Sequence, residues 1–497
     1  MRVITKQERK NMNILSVDVG TTSMRGILYN GEGKELSLVS RLTPLIFIDN
    51  YIEQDALTLK EKLFEIVRES AKDNSVDAIV VTAFRSAPAL FDKEGNPLSN
   101  FIMWQDTRNK EICERIAPRN KEIYQCVGAK VNAVFTASKV TWFKEHMREA
   151  YDKAYKALVV PDYLINTMTG AFTSDKTYGS RTGIMNIHSC TYDEEMVRLY
   201  DLDMEKLPEL VEVGSVIGYT TEAFEKATGV KAGTPVISSG GDQQNSALGL
   251  GELDDSSLVI NCGTGGFIIS LVDQPYLENE AMICNASAVP GKYVLESNVL
   301  ASAAALNWML KELFPELWND GHPDFKRFHE LVGQSAPGAN GVRIVPLFQG
   351  CGSRDWNLDA RACFTNISLG NTRNDLGRAM LEGIAAEIVK SVRGFPEKCQ
   401  NVSRIYVGGG LTKSDLFDQI LCDMLGKPLI RYDDAQATAI GAFISAAVTL
   451  KLYPDHGTAF AKAREGAKTY VFEPDPEKHA FYQDVIRETE EVYKSLK

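Results

Sequence analysis

The sequence predicts an α/β protein of two related domains, and three observations carry that prediction. The stretch NILSVDVGTTSMRGILYNGEG, from Asn13 to Gly33, reads strand, Gly/Thr turn, strand. SLVINCGTGGFIISLVDQP, from Ser257 to Pro275, repeats that order about half a chain later, with NCGTGG standing where DVGTTS stood. Between them, DALTLKEKLFEIVRESAKD carries helical spacing at Leu59, Leu63, Phe64, Ile66 and Val67, and the continuous apolar run of VDAIVVTAF follows as a buried strand. Hairpins joined to a crossover make a mixed sheet. At 497 residues the chain is long enough for two such units.

The remaining elements follow in order. The start, MRVITKQERKNMN, is charged and lacks the apolar core of a secretory signal, so it reads as a short disordered arm before the fold opens near Asn13. The acidic stretch Glu252–Ser256, after the Gly-rich GLGLGE, marks the boundary, giving domains 13–252 and 253–497. SRIYVGGGLTKSDLFDQILCDMLGKPL predicts a strand, a glycine loop and a helix, and the Ala-rich residues 434–453 predict a further helix.

Bulk properties exclude several classes. A net charge of -12 argues against a nucleic-acid surface, which needs clustered Lys and Arg. No run approaches the ~18 apolar residues of a membrane span. Nine scattered cysteines without a CxxC pair point to reduced thiols in a cytoplasmic protein rather than a disulfide framework.

Phosphate groups are held by backbone N–H donors that glycine-rich turns expose, with hydroxyls and cations beside them. The first turn offers Asp18, Gly20, Thr21, Thr22 and Arg25; the second offers Gly263, Thr264, Gly265 and Gly266. Two such hairpins facing one another would grip a nucleotide's phosphates from both sides, with Asp18 holding Mg2+ through water. Ordinary hairpin turns are the other reading, and the GxxxxGK[ST] loop is absent. VGGGLTKSD, following a strand and opening a helix, can pass under an adenine ring because glycine has no side chain in the way. A tight strand-to-helix turn explains it equally well. In SSGGDQQNSALGLG, Asp242 directly after a glycine pair is either the N-cap of the next helix or a base at the mouth of a cleft.

DVGTTSMR, FIMWQDTR, VVPDYLINTMTG, GGDQQ, CGTGG and GGGLTKSDLFDQILCDMLG, in this order, resemble the FGGY carbohydrate kinases, of the sugar kinase, Hsp70 and actin superfamily. The likeness runs from about Asn13 to Tyr453 and takes in NISLGNTRNDLGRAMLEG, where Asn366 stands at a position usually occupied by Gly. The resemblance implies two ribonuclease H-like (actin-like ATPase) domains with ATP in the cleft between them. It implies transfer of the γ-phosphoryl group of MgATP to a hydroxyl of a small sugar or polyol, with ATP and Mg2+ required. By the same resemblance Asp242 is the general base and a metal ligand with Asp18, and Gln243 touches substrate. Thr21, Thr22, Arg25, Gly263, Thr264 and Gly265 bind phosphate. Asn307, in the helix that approaches the nucleotide in relatives, and Gly409, Gly410 and Ser414, around the adenine, complete the nucleotide site.

The acceptor pocket departs from the glycerol-kinase pattern. Arg85 matches that pattern's arginine, but Ser86 replaces the Glu that follows it, and Val134 stands where a polyol-binding Tyr belongs. A pocket built to hydrogen-bond hydroxyls loses heavily without its partners. The Met-His-Gly of xylulokinases is also missing. Arg85, Trp104, Asp242 and Gln243 therefore suit an open-chain polyol or ketose, or a substrate of the autoinducer-2 precursor type; glycerol and xylulose are the alternatives. A core position is the other reading of Trp104. Asp106 and Arg108 read as a local ion pair that locks the WQDTR motif. The competing function is a non-kinase ATPase or nucleotide-binding regulator of the same superfamily; no separate peptide-binding domain, helix-turn-helix or Cys/His cluster supports it. A nicotinamide-dependent dehydrogenase fails on the missing GxGxxG spacing. Oligomers are common in the family, which makes a homo-oligomer, first a dimer, the expected assembly.

Overall fold

The computed structural model describes residues 11–319, 322–433 and 436–496. The expected disordered arm therefore lies almost wholly outside the described residues, as does the start of the helix expected over 434–453.

The first half builds β1 (Asn13–Val19), β2 (Ser23–Asn30), β3 (Glu35–Leu42), α1 (Ala56–Ser70), β4 (Ala78–Ala83), α2 (Val160–Thr169), β5 (Val216–Tyr219), β6 (Pro235–Gly241) and α3 (Asp242–Leu250). These strands form one sheet in the order β5-β6-β4-β1-β2-β3. β1 and β2 pair antiparallel from Asn13↔Asn30 to Val19↔Met24, and β4 joins β1 in parallel from Ile14↔Ala78 to Val19↔Ala83. Helix α1 starts where the side chain of Asp55 accepts from the backbone N–H of Thr58, and it buries Leu59, Leu63, Ile66 and Val67.

The second half repeats the plan with β7 (Ser257–Cys262), β8 (Gly266–Val272), β9 (Ile283–Ala286), β10 (Tyr293–Val299), α4 (Ala303–Leu313), α5 (Arg373–Val392), β11 (Arg404–Gly408), α6 (Asp415–Leu425), β12 (Leu429–Tyr432), α7 (Ala437–Thr449), β13 (Thr469–Phe472) and α8 (Pro476–Ser495). Its seven strands run β9-β10-β8-β7-β11-β12-β13. β7 and β8 form the antiparallel hairpin and β11 joins β7 in parallel, as β4 joins β1. The repeat seen in the sequence is thus a repeat of topology.

Side chains alternate across a strand, and both faces of the first sheet are covered. Leu15, Val17 and Val19 pack with α1 and α2 through Leu59, Leu63, Ile66, Leu164 and Met168. Ile14, Ile27, Ala78, Val80 and Ile237 face the other way and are covered by α7 through Ala439, Ala442, Phe443 and Ile444. The hydroxyl of Ser16 in β1 donates to the Ala439 carbonyl at 3.1 Å. α7 therefore comes from the second half of the chain but lies on the first sheet, beside α3. There the backbones nearly touch: a Cβ on Gly249 would fall 1.9 Å from the Ala437 carbonyl oxygen, and one on Gly441 1.9 Å from that of Asn245. The second lobe has its own core, around α5 and the inner faces of β7, β8 and β10.

Candidate active site

Asp242 owes its place to a break in strand pairing. β6 runs in register with β4 up to Ser238↔Val81, after which Gly241, rather than Gly240, stands opposite Ala83. Ser239 and Gly240 (φ +97°) together stand opposite Thr82, a bulge that re-aims the end of the strand. Three donors fix the Gly240 carbonyl: Thr82 Oγ1 at 2.8 Å, the Tyr178 hydroxyl at 2.8 Å and Asn245 Nδ2 at 3.0 Å. Gly241 is needed for a different reason, because a Cβ there would lie 2.7 Å from Arg85 Cδ. The N-cap of α3 is Gly241, so Asp242 is the first helical residue and does not cap the helix. Its Oδ1 accepts from the backbone N–H of Gln243 at 2.8 Å, at a helix N-terminus that favours negative charge. Burial nevertheless raises its pKa, against the nearby Arg85 guanidinium.

Arg85 follows β4 and is buried. Its Nε lies 3.8 Å from Asp242 Oδ1, and its Nη1 donates to Glu296 Oε2 at 2.9 Å. Glu296 sits on β10, so this ion pair crosses between the lobes. Ser86 takes a left-handed backbone, φ +70°. The buried Lys139 donates to the carbonyls of Ser86 at 3.0 Å and Val134 at 2.9 Å, tying together the two positions where the glycerol-kinase pattern is lost. Burial pulls this ammonium down to about 7. Phe135 lies under the guanidinium of Arg181, 4.7 Å from its ring centroid.

Trp104 is 37% exposed, which removes the core reading, and its indole N–H donates to Thr21 Oγ1 at 3.1 Å. Arg108 grips Asp106 with Nε at 2.9 Å and Nη2 at 2.8 Å, and reaches Glu53 with Nη1 at 2.7 Å. The ion pair expected in WQDTR is therefore present, with Glu53 as a third member.

The first hairpin turns between β1 and β2, where the Gly20 N–H donates to the Ser23 carbonyl at 2.8 Å. Asp18 and Arg25 are cross-strand partners. Burial raises Asp18 to about 6, Arg25 opposes the shift and Asp242 adds to it, so the two carboxylates feel one another. The second hairpin is pinned to the start of α4: the Gly263 carbonyl accepts from Ala303 N–H at 3.1 Å, and that of Thr264 from Ser302 N–H at 3.0 Å. Asn261, at the end of β7, donates to Gln243 Oε1 at 3.3 Å, which brings this hairpin to Asp242. Gly409 (φ +95°) presses on the same hairpin, since a Cβ there would lie 2.5 Å from the Cys262 carbonyl. At Gly410 a Cβ would meet nothing within 4 Å. The Ser414 hydroxyl is occupied as the N-cap of α6, accepting from Phe417 N–H at 3.1 Å. Asn307 holds its Oδ1 buried without a partner.

Among the described residues no group of three or more His, Cys, Asp or Glu could hold a metal ion. Asp18 and Asp242 fit Mg2+ in another way, because this ion takes one or two carboxylates and completes its shell with water and phosphate oxygens. Of the residues that the sequence singles out, the structure brings Arg85, Asp242, Gln243 and both hairpins together. Glu296, Arg181 and Lys139, which the sequence did not single out, lie beside them. The signal for Glu296 was a lone carboxylate inside the apolar strand YVLESNV; nothing local singled out the other two.

Known proteins share this architecture. The model of the FGGY family of carbohydrate kinases, N-terminal domain, matches residues 13–249, and that of the C-terminal domain matches residues 258–450. A glycerol kinase of Janthinobacterium sp. (strain Marseille) is 28% identical over 467 residues, covering 88% of this chain and 90% of its own. The solved xylulose kinase of Lactobacillus acidophilus superposes with a TM-score of 0.91 at 24% identity, covering 98% of each chain. The glycerol kinase of Plasmodium falciparum, solved with ADP, gives 0.87 at 23% identity, covering 97% of this chain and 98% of that one. These structures share the fold, mixed α/β sheets with helices in two domains, as in the actin-like ATPases. Among the described residues no helix is long and apolar enough to cross a membrane, and all nine cysteines are free. With both family models matched in order along one chain, this protein belongs to the FGGY family of carbohydrate kinases.

Proposed function

We propose that Asp242 is the general base of an ATP-dependent phosphoryl transfer to a hydroxyl of an open-chain sugar derivative bound against Arg85. The family makes the chain an ATP-dependent carbohydrate kinase acting on a small sugar or polyol. The residue roles are our reading of the site, and one observation carries them: Asp242 stands at the bulged end of β6, within reach of Arg85 and linked through Gln243 to the second Gly/Thr hairpin.

A hydroxyl is a poor nucleophile until a positioned carboxylate accepts its proton, an effect of about 10^2 to 10^4. Asp242 performs that step, and its raised pKa makes it a better acceptor than an exposed aspartate. Arg85 and Trp104 orient the acceptor, while Gln243 ties the base to Asn261. The backbone of both hairpins, with Thr21, Thr22, Arg25 and Thr264, surrounds the phosphates, since phosphoryl transfer depends on positioning and on neutralising charge. Asp18 and Asp242 would hold Mg2+, which supplies further positive charge on the phosphate oxygens. Gly409, Gly410 and Asn307 line the nucleoside side. The domains run 13–252 and 253–497, the second lending α7 to the first, and the protein works in the cytoplasm as a homodimer.

The test is a coupled ADP-release assay with MgATP over a panel of polyols, ketoses and autoinducer-2 precursor. One strong acceptor whose turnover Asp242→Asn abolishes supports the reading. ATP binding with silence across the panel would favour the non-kinase alternative, which no relative described above supports.

A further inference from the structure

The peptide unit between Gly240 and Gly241, one residue ahead of Asp242, is gripped at both ends by two adjacent side chains. Its carbonyl accepts from the Tyr178 hydroxyl at 2.8 Å, and its N–H donates to Thr177 Oγ1 at 3.0 Å. Thr177 and Tyr178 are buried and lie in a single helical turn, Lys176–Gly179. A peptide between two glycines is the one most able to rotate as a unit, because neither neighbour has a Cβ to restrict it. Such a rotation would reverse the directions of this C=O and N–H and re-aim the first residue of α3.

The role of each hydroxyl is fixed by its other partner. Thr177 gives its proton to Asp175 Oδ1 at 2.5 Å, which leaves its oxygen free to accept. That carboxylate oxygen also takes the Thr177 N–H at 2.8 Å, while Ser238 Oγ donates to Oδ2 of the same buried side chain. Tyr178 accepts from the Ala83 N–H at 3.0 Å, which leaves its own proton for Gly240. The hydroxyl thus ties β4 to β6 where their register breaks. A flipped peptide would turn its N–H toward three donors, those of Tyr178, Thr82 and Asn245, and its carbonyl toward an oxygen whose proton is already given to Asp175. Buried polar groups left unpaired in this way are costly, so one orientation is selected.

We propose that Thr177 and Tyr178 are positioning residues of the phosphoryl transfer, locking the Gly240–Gly241 peptide in the orientation that aims Asp242 at the acceptor hydroxyl. This rests on the reading of Asp242 as the base, because neither hydroxyl acts except through that residue. Asp175 stands one step further back, holding the Thr177 proton away from Gly241. The two glycines let the chain make the bulge, and the two hydroxyls remove the freedom that the glycines bring.

Thr177→Val and Tyr178→Phe each remove one hydroxyl and nearly keep the shape, while Thr177→Ser keeps the hydroxyl. ADP release by the full chain is measured at saturating MgATP with xylulose, glycerol and water alone as acceptors. Each rate is divided by the nucleotide sites counted in an ADP titration, so that unfolded protein does not enter. The expected result is a fall in kcat of about 10- to 100-fold for Thr177→Val and Tyr178→Phe, since a misplacement of about 1 Å can cost 10^2. Nucleotide affinity should not change, and Thr177→Ser should stay close to wild type. In the Asp242→Asn background the same substitutions should lower the residual rate no further, because residues acting through Asp242 have nothing left to aim. Either variant carries the comparison if the other fails to fold. Wild-type kcat in the variants, the same fold loss in both backgrounds, or a Thr177→Ser enzyme as slow as Thr177→Val would each overturn the proposal. Failure of the underlying reading looks different: Asp242→Asn then turns over at the wild-type rate, or ADP release is silent with every acceptor, and the positioning role falls with the base. A slow Asp242→Asn beside fast Thr177→Val and Tyr178→Phe keeps the base and overturns the positioning role alone.

Discussion

Arg85 of the first lobe and Glu296 of the second form a buried ion pair, 2.9 Å from Nη1 to Oε2, beside Asp242. Breaking such a pair from one side leaves an uncompensated charge, at a cost of about 3–5 kcal/mol. Glu296→Gln is therefore expected to lower the urea midpoint strongly and to weaken acceptor binding, because Arg85 loses the group that orients it. An unchanged midpoint would show that the lobes do not depend on this contact.

Asp242→Asn keeps the shape of the side chain and removes its basicity. kcat should fall by about 10^2 to 10^4, or roughly 2.7 to 5.5 kcal/mol of barrier, with nucleotide binding largely retained. Steady-state kinetics beside a nucleotide titration checks both halves. Turnover close to wild type would remove Asp242 from the role of base.

The Asp18 carboxyl has a folded pKa of about 6, above its unfolded value of about 3.9. Between those values the folded state binds more protons, so the contribution to stability is greatest at low pH and is lost as pH rises through about 6. Asp18→Asn should accordingly raise the melting temperature of the ligand-free protein at pH 7.5 and change it little near pH 4. Activity has the opposite sign, since an ionised pair is needed to hold a cation: kcat/KM should decline below about pH 6. The Asp242 charge adds to the rise at Asp18, so replacing Asp242 by Asn should move that limb to lower pH.

Three glycines should respond differently to the same added methyl. Gly249→Ala and Gly441→Ala push into backbone 1.9 Å away and should destabilise by about 1–3 kcal/mol or more. Gly410→Ala meets nothing within 4 Å, so its melting temperature should hold while KM for ATP rises. A Gly410→Ala enzyme with normal KM would place the adenine elsewhere.

Much of this was legible in the sequence where local chemistry dictates local structure. DVGTTS and NCGTGG announced both hairpins because Gly and Thr at a strand end leave few alternatives. The glycine pair before Asp242 was visible too, although its two distinct duties, a left-handed bulge residue and a clearance for Arg85, were not. What stayed hidden was long-range. Glu296 is 211 residues from Arg85, and no periodicity reports that an inward-facing strand carboxylate meets an arginine of the other lobe. Ser86 looked like a lost partner; the structure adds Lys139 behind it and Arg181 beside it.

The placement of α7 also bears on how the chain is made. The apolar face formed by Ile14, Ile27, Ala78 and Ile237 is covered largely by α7, from residues beyond 436, with Leu248 and Ala288 at its side. A ribosome therefore completes the first sheet long before it supplies the cover, and the nascent chain carries a bare greasy surface through most of its synthesis. Ending translation at residue 252 should yield an insoluble fragment, and supplying the missing half in trans should rescue it.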